Sequence, residues 1–180
     1  VAKEQIEILP NGISPVKDTP SEPPFTFPYF LYFGRLESRK NLVFLIEAFS
    51  RYRRDGGKGH LILMGPIERA YDKVLYRAIR REGLEAIVHL LAPVYGPDKT
   101  RYLKHSVAVI YPAVEEPFGR VPFESVAAGT FPLVPVESGS AEYLAPYLSG
   151  CLYPIEDKDA LVSCMREIEQ LSSVQRTKHL

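Results

Sequence analysis

Apolar residues arrive along this chain in two alternating rhythms. Tyr29-Phe30-Leu31-Tyr32-Phe33 is an unbroken apolar and aromatic run that stops at Gly34. Short runs of this kind predict a strand buried on both faces. Leu42, Leu45, Ile46, Phe49 and Tyr52 then fall at i, i+3, i+4, i+7 and i+10, which predicts a helix with one apolar side, broken at Gly56-Gly57-Lys58-Gly59. Leu61-Ile62-Leu63-Met64 predicts a second strand, ended by Gly65-Pro66. Tyr71, Val74, Leu75, Ala78 and Ile79 predict a second helix, closed by Gly83. The alternation continues with a strand from Ile87 to Leu91, a short helix from Asp98 to His105 and a strand from Val107 to Tyr111. A helix from Val121 to Ala128 follows, with Gly129 just past its end. Phe131 to Val136 reads as a strand despite Pro132 and Pro135, and Cys151-Leu152-Tyr153 as a last short one. Leu161, Cys164, Met165, Ile168 and Leu171 predict the final helix, with Asp157 or Asp159 as its N-cap. Strands alternating with helices point to an α/β domain: a Rossmann-like parallel sheet of about six strands with helices on both faces.

The first 28 residues do not follow this rhythm. Ile6 to Leu9 alternates weakly, Pro10-Asn11-Gly12 turns, and Pro15, Pro20, Pro23, Pro24 and Pro28 forbid a regular helix. The expected division is a lead-in over 1–28, one domain over 29–172 and a tail over 173–180. With 180 residues, one domain with a sizeable core is the expected count. A hydrophobic share of 46% excludes a disordered chain. Lys+Arg and Asp+Glu are each 22, so the surplus of cations that nucleic-acid binding needs is missing. Cys151 and Cys164 are too few for a disulfide framework or a zinc site and read as core filler, in keeping with a reducing cytoplasm. No apolar run is long enough to span a membrane, and no signal peptide is visible. A first residue of Val1 suggests a piece of a longer protein.

Ligands of parallel sheets lie beyond the carboxyl ends of the strands, so the strand-to-helix loops are where chemistry is sought. Gly34-Arg35-Leu36-Glu37-Ser38-Arg39-Lys40-Asn41 sets three cations just before a helix N-terminus. A helix start already carries partial positive charge. Cations gathered there fit a shared anion such as a diphosphate, or else form a solvated charged loop. One glycine makes this loop neither G-x-G-x-x-G nor Walker A, which counts against a dinucleotide oxidoreductase or an ATP hydrolase. The loop Glu115-Glu116-Pro117-Phe118-Gly119-Arg120-Val121-Pro122-Phe123-Glu124 follows the strand ending at Tyr111. Gly119 permits close backbone approach, and Pro122 fits only a first helical turn, which dates the helix start to about residues 119–121. Glu116 then precedes the helix and Glu124 lies about one turn inside it. Carboxylates only accept hydrogen bonds, so two of them beside free N–H groups fit a ligand with a charged middle and polyol ends, as in a nucleotide sugar. The alternative is that they serve the helix dipole.

Glu116 and Glu124 have seven residues between them. The stretch Glu116-Pro117-Phe118-Gly119 through Glu124-Ser125-Val126-Ala127-Ala128-Gly129-Thr130 resembles the E-x-F-G…E-A-x-A-x-G-x-P motif of GT-B glycosyltransferases of family 4, also called group 1. Gly34-Arg35-Leu36 with Lys40-Asn41 is similar to that family's G-R-L…K-[GN] loop. Asn11-Gly12-Ile13 is similar to its N-G-[IV] turn into the C-terminal domain. Ser125 departs from the usual Ala, and Ala92 from a frequent Gly. The resemblance implies the C-terminal, donor-binding half of a retaining hexosyltransferase, with the lead-in coming from an N-terminal Rossmann-like domain that carries the acceptor site. By the same resemblance, Arg35 and Lys40 hold the donor diphosphate and Glu116 contacts the donor sugar, these three forming the catalytic set. Gly34, the amides of Phe118, Gly119, Arg120 and Val121, and Glu124 at the ribose bind the donor. The nucleobase is assigned to Ala92-Pro93-Val94. The implied pathway is polysaccharide, lipopolysaccharide or glycolipid synthesis, without cofactor or metal. The expected location is the cytoplasm, with membrane association only through the missing half. The rival is a non-catalytic module that binds nucleotide sugars or a protein.

The remaining ionisable groups say less. His60, His89, His105 and His179 share no metal-ligand spacing and read as ordinary surface or strand residues. Glu137 and Glu142 read as solvated loop residues near a later strand end, with a place facing the site as the alternative. Arg77, Arg80 and Arg81 read as a solvated helix face, with contact to anionic lipid as the alternative.

Overall fold

A computed structural model describes residues 11–16, 22–148 and 152–171. The elements run β1 (Tyr29–Phe33), α1 (Leu42–Arg54), β2 (His60–Met64), α2 (Tyr71–Arg81), β3 (Val88–Leu91), α3 (Gly96–Lys104), β4 (Ala108–Ile110), α4 (Arg120–Ala127), β5 (Pro132–Pro135), α5 (Gly139–Leu144), β6 (Leu152–Tyr153) and α6 (Lys158–Gln170). All strand pairs are parallel, and the sheet order is β3-β2-β1-β4-β5-β6. The Rossmann-like reading is correct. The weak alternation at 6–9, Cys151, His179 and the tail lie outside the described residues.

The apolar run of β1 sits mid-sheet and is buried along its whole length. Its side chains part to opposite faces, as a period of two requires. Phe30 and Tyr32 join the core beneath α1, α2 and α6, with Leu45, Phe49, Ile79, Leu161 and Met165. Tyr29, Leu31 and Phe33 join the core on the other face, with Ile62, Met64, Leu103 and Val109. Each such side chain contributes about 1.5–3 kcal/mol on leaving water. Phe25 and Phe27, from the lead-in, close this second face. Their rings stack 4.9 Å apart, and Arg101 holds the preceding backbone through the carbonyls of Glu22 and Pro23. The described parts of the lead-in, 11–16 and 22–28, contain no helix or strand.

The two prolines of β5 stand at its first and last residues, where the missing N–H costs the ladder little. Asp157 caps α6 by accepting from the Ala160 amide at 2.9 Å. α5 is the one element the apolar pattern does not reveal, because it is short. Its start is nonetheless marked by Ser138, whose hydroxyl accepts from the Ala141 amide. Among the described residues, no helix is long and apolar enough to cross a membrane.

Candidate functional site

β1 and β4 are neighbours, yet β1 is followed by β2 on one side and β4 by β5 on the other. The chain therefore leaves their carboxyl ends in opposite directions and opens a crevice between them. The two stretches singled out by their charges, 34–41 and 115–124, border this crevice, the second passing from loop into α4 at Arg120. Glycines let the backbones of the loops after β1 and β2 close up beside it. The Gly34 amide donates to the Met64 carbonyl at 3.0 Å, and a Cβ on Gly65 would stand 1.8 Å from the Gly34 carbonyl oxygen. The loop after β1 then runs beside the loop after β2, with Leu36 donating to Pro66 at 2.8 Å.

Lys40 ends a single 3-10 turn, Ser38–Lys40, and Asn41 turns the chain into α1 in the left-handed conformation at φ 54°. Glycine and asparagine tolerate that conformation best, which explains the residue type after the lysine. The Asn41 side-chain nitrogen is buried without a partner among the described residues. Lys40 reaches across the crevice. Its Nζ lies 2.5 Å from Glu116 Oε2 and 3.2 Å from the Tyr111 hydroxyl, and Tyr111 stands 3.4 Å from the same carboxylate. The Lys40 side chain is only 13% exposed. Burial works against its charge, but the bonds to Glu116 and Tyr111 outweigh burial and hold the ammonium above the ordinary lysine pKa. Burial pushes the Tyr111 phenol up, with Lys40 pulling against it. The site is thus a half-buried cation held by a carboxylate and a neutral hydroxyl.

Around this cluster the backbone is in special conformations. Glu115 has φ 53° and Gly119 has φ 72°; a side chain rarely adopts the former without support from its surroundings. Gly119 precedes α4, whose first N–H groups receive no side-chain cap. A Cβ on Gly119 would meet Glu116 and Tyr111 at 3.2 Å. Phe118 stacks on Phe123 at 4.7 Å and meets the edge of Tyr143, which anchors the loop to α4 and α5. The Gly139 amide donates to the Glu116 carbonyl at 3.1 Å, so α5 supports the loop from behind.

The other residues singled out by sequence are distributed less tightly. The Arg35 side chain is 65% exposed, and its guanidinium lies 3.6 Å from Glu37. Arg39 also pairs with Glu37, so Lys40 is the one cation of its loop that turns inward to Glu116. Glu124 is engaged by Lys99 Nζ at 2.6 Å and faces Arg120 at 3.7 Å, one turn back on α4. Lys99 also lies over the Phe33 ring at 4.7 Å. A cleft of about 400 Å³ opens here, lined by Glu124, Arg120, Lys99, Thr100 and the segment Ile13 to Val16. Val121 packs between the two cores. Ala92, Pro93 and Val94 follow β3, the outer strand, where Val94 rests on the second core. Tyr111 and Lys99 were missed. Tyr111 could have been found from its place just past the carboxyl end of β4; Lys99 carries no local signal.

Glu137 accepts from the Ile155 amide at 2.9 Å and joins the turn after β6 to the end of β5. His60 and His89 come together across β2 and β3, their ring nitrogens 3.0 Å apart. Among the described residues, no group of three or more His, Cys, Asp and Glu could hold a metal ion. Cys164 is buried, and burial, with help from Glu167, raises its thiol to about 11, as suits core filler.

Known proteins share this fold. A sucrose-phosphate synthase structure from Thermosynechococcus elongatus superposes with TM-score 0.76 at 24% identity, over 86% of this chain and 39% of that one. A structure of Anabaena HepE in complex with UDP and glucose gives 0.74 at 23% identity, over 84% and 41%. At such identities these likenesses establish the fold. An uncharacterized glycosyltransferase of Methanocaldococcus jannaschii is 29% identical over 126 residues, 69% of this chain and 31% of that protein. The chain thus spans about a third of this curated relative's length and about two fifths of the two structures. Residues 17–178 match the family described as glycosyl transferases group 1, and with nine-tenths of its length so matched, the chain belongs to the group 1 glycosyltransferases.

Proposed function

We propose that this chain is the C-terminal, donor-binding half of a retaining family 4 glycosyltransferase. The intact enzyme works in the cytoplasm and transfers a hexose from a nucleotide diphosphate to an acceptor hydroxyl in polysaccharide, lipopolysaccharide or glycolipid synthesis. The observation that carries this reading is the meeting of Lys40 and Glu116 beside the uncapped start of α4, at the crevice between β1 and β4. In the transfer, the bond from the anomeric carbon to the diphosphate oxygen breaks. A bond to the acceptor oxygen forms, the diphosphate leaves with the electron pair, and its departing oxygen takes the proton of the acceptor hydroxyl. Charge therefore builds on the leaving group. The Lys40 ammonium, the exposed Arg35 guanidinium and the N–H groups of α4 are the donors that meet it. Glu116 accepts from sugar hydroxyls and orients the donor, and Glu124 accepts from the ribose within its cleft. No metal has a role in this reading. The complex of Anabaena HepE holds UDP and glucose, which supports a nucleotide and a sugar as ligands of this fold; the base used here is open to titration.

Arg35 is the residue on which to test the reading. Exposed and loosely paired, it can be removed without disturbing the core. A charge-assisted hydrogen bond is worth about 1.5–3 kcal/mol. Arg35→Ala is therefore expected to weaken nucleotide diphosphate binding about tenfold or more in calorimetry, with unchanged thermal unfolding. Unchanged affinity would remove this loop from the site.

A further inference from the structure

α2 presents to solvent a stripe of charge that the candidate site does not use. The helix Tyr71–Arg81 carries four cations and one carboxylate, in a chain whose formal net charge is zero. Leu75, Ala78 and Ile79 are buried against the domain, while Lys73, Arg77 and Arg80 stand exposed on the opposite side. None of these three makes a hydrogen bond or an ion pair among the described residues. Arg81, beside them, is engaged by Glu47 and Glu82, and Asp72 is half-buried. Cations at i, i+4 and i+7 repel one another along a helix. The arrangement weakens the helix unless something negative lies outside it. Tyr76, 57% exposed, and Val74, 42% exposed, flank the stripe on either side.

We propose that α2 docks this domain on an anionic lipid surface. Charge complementarity carries the proposal, and the composition of the patch selects the partner. A protein interface needs a desolvated apolar centre ringed by polar groups. Here the centre is cationic and the apolar groups are at the rim. A membrane has the converse requirement. Flexible cations attract mobile anionic headgroups without fixed geometry, and a tyrosine beside them rests at headgroup depth. The stripe from Lys73 to Arg80 is about 10 Å long, enough to meet several headgroups. α2 begins just after the loop that follows β2, on the edge of the sheet that bears the candidate site. Docking there brings the crevice near the bilayer and gives this domain its own means of membrane association, turning the alternative reading of its arginine face into the favoured one. The proposal does not depend on the reading of the crevice.

The test is co-sedimentation of the chain with vesicles of phosphatidylcholine alone, or with about one-third phosphatidylglycerol, at about 0.05 M and about 0.5 M salt. Each cation near such a surface is worth roughly fivefold in partitioning. Three cations predict about a hundredfold preference for the anionic vesicles, lost in high salt. Lys73→Gln/Arg77→Gln/Arg80→Gln should lose that preference while unfolding at the wild-type temperature. Arg51→Gln/Arg54→Gln/Arg166→Gln, an equal loss of charge elsewhere, should keep it. Equal binding to both vesicle types, or equal losses in the two triple variants, would overturn the proposal. Retention on immobilised polyglutamate without vesicle binding would also overturn it and assign the stripe to an acidic protein.

Discussion

Lys40 and Glu116 are a pair in which each member offsets the other's partial burial. Taking an ammonium out of water is costly, and a carboxylate at 2.5 Å with a phenol at 3.2 Å offsets that cost. In the proposed function, a diphosphate entering the crevice would compete with Glu116 for the same ammonium and release Glu116 toward the sugar. Glu124 follows the same logic with Lys99, its partner at 2.6 Å. If Glu124 serves the ribose, Glu124→Gln keeps the shape and replaces a charged acceptor by a neutral one of about half the strength. Nucleoside diphosphate affinity should fall about tenfold, and inorganic pyrophosphate affinity should stay the same. Equal weakening of both in parallel titrations would mean that Glu124 serves only the helix start and Lys99.

Elements act on the site through contacts that glycine makes possible. Gly139 opens α5, and a Cβ there would lie 1.8 Å from the Pro117 carbonyl oxygen. That oxygen is backbone and cannot swing aside as a side chain would. Gly139→Ala should push the 115–119 loop away from α5 and cost about 1–3 kcal/mol in denaturant unfolding. Gly12→Ala, with nothing within 4 Å, should be close to neutral; equal effects would show that the loop yields freely. On the far side of the sheet the lead-in is held by stacking of Phe27 on His60, with centroids 3.9 Å apart. Burial, then His89 and Arg53, lower the His60 pKa, and burial lowers that of His89. A lowered folded pKa means that the unfolded chain binds protons first on acidification. Stability from this pair is therefore complete above the ordinary value of 6.5 and is lost as pH falls below it. Between about pH 7.5 and about pH 5.5 the wild-type Tm should fall by more than that of His60→Gln/His89→Gln. Parallel Tm profiles would leave the histidines without such a role.

For the whole molecule, the proposed function makes the crevice one wall of a larger cleft. Transfer requires the acceptor oxygen in line with the anomeric carbon and water excluded. A chain spanning about a third of its curated relative's length supplies only donor contacts in this reading. It is expected to bind nucleotide sugars weakly, because much of the ligand stays in water. It should do so equally with and without a chelator, and it should release no nucleoside diphosphate when incubated with nucleotide sugars and simple acceptors. Robust, acceptor-dependent release by the chain alone would show that the active site is complete within it.

Much of this was legible in the residues because its causes are local. Unbroken apolar runs, a helical period of apolar positions, Gly83 and Gly129 past helix ends, and Asp157 before α6 act within a few residues of where they stand. Glu116, Gly119 and Lys40-Asn41 could be singled out for the same reason, since a helix start and a left-handed turn constrain their own sequence. The sequence by itself therefore determined the α/β class, the strands and longer helices, and the loops that bear the charges. Tertiary structure alone decided the strand order that sets β1 beside β4, and with it the crevice. It decided that Lys40 turns inward to Tyr111 and Glu116 while Arg35 and Arg39 remain with Glu37. It decided, too, that Glu124 meets Lys99 and that two histidines 29 residues apart share a contact of 3.0 Å. Such pairings join groups distant along the chain, and their energy depends on how sheet and helices pack. No spacing within a single segment carries that information.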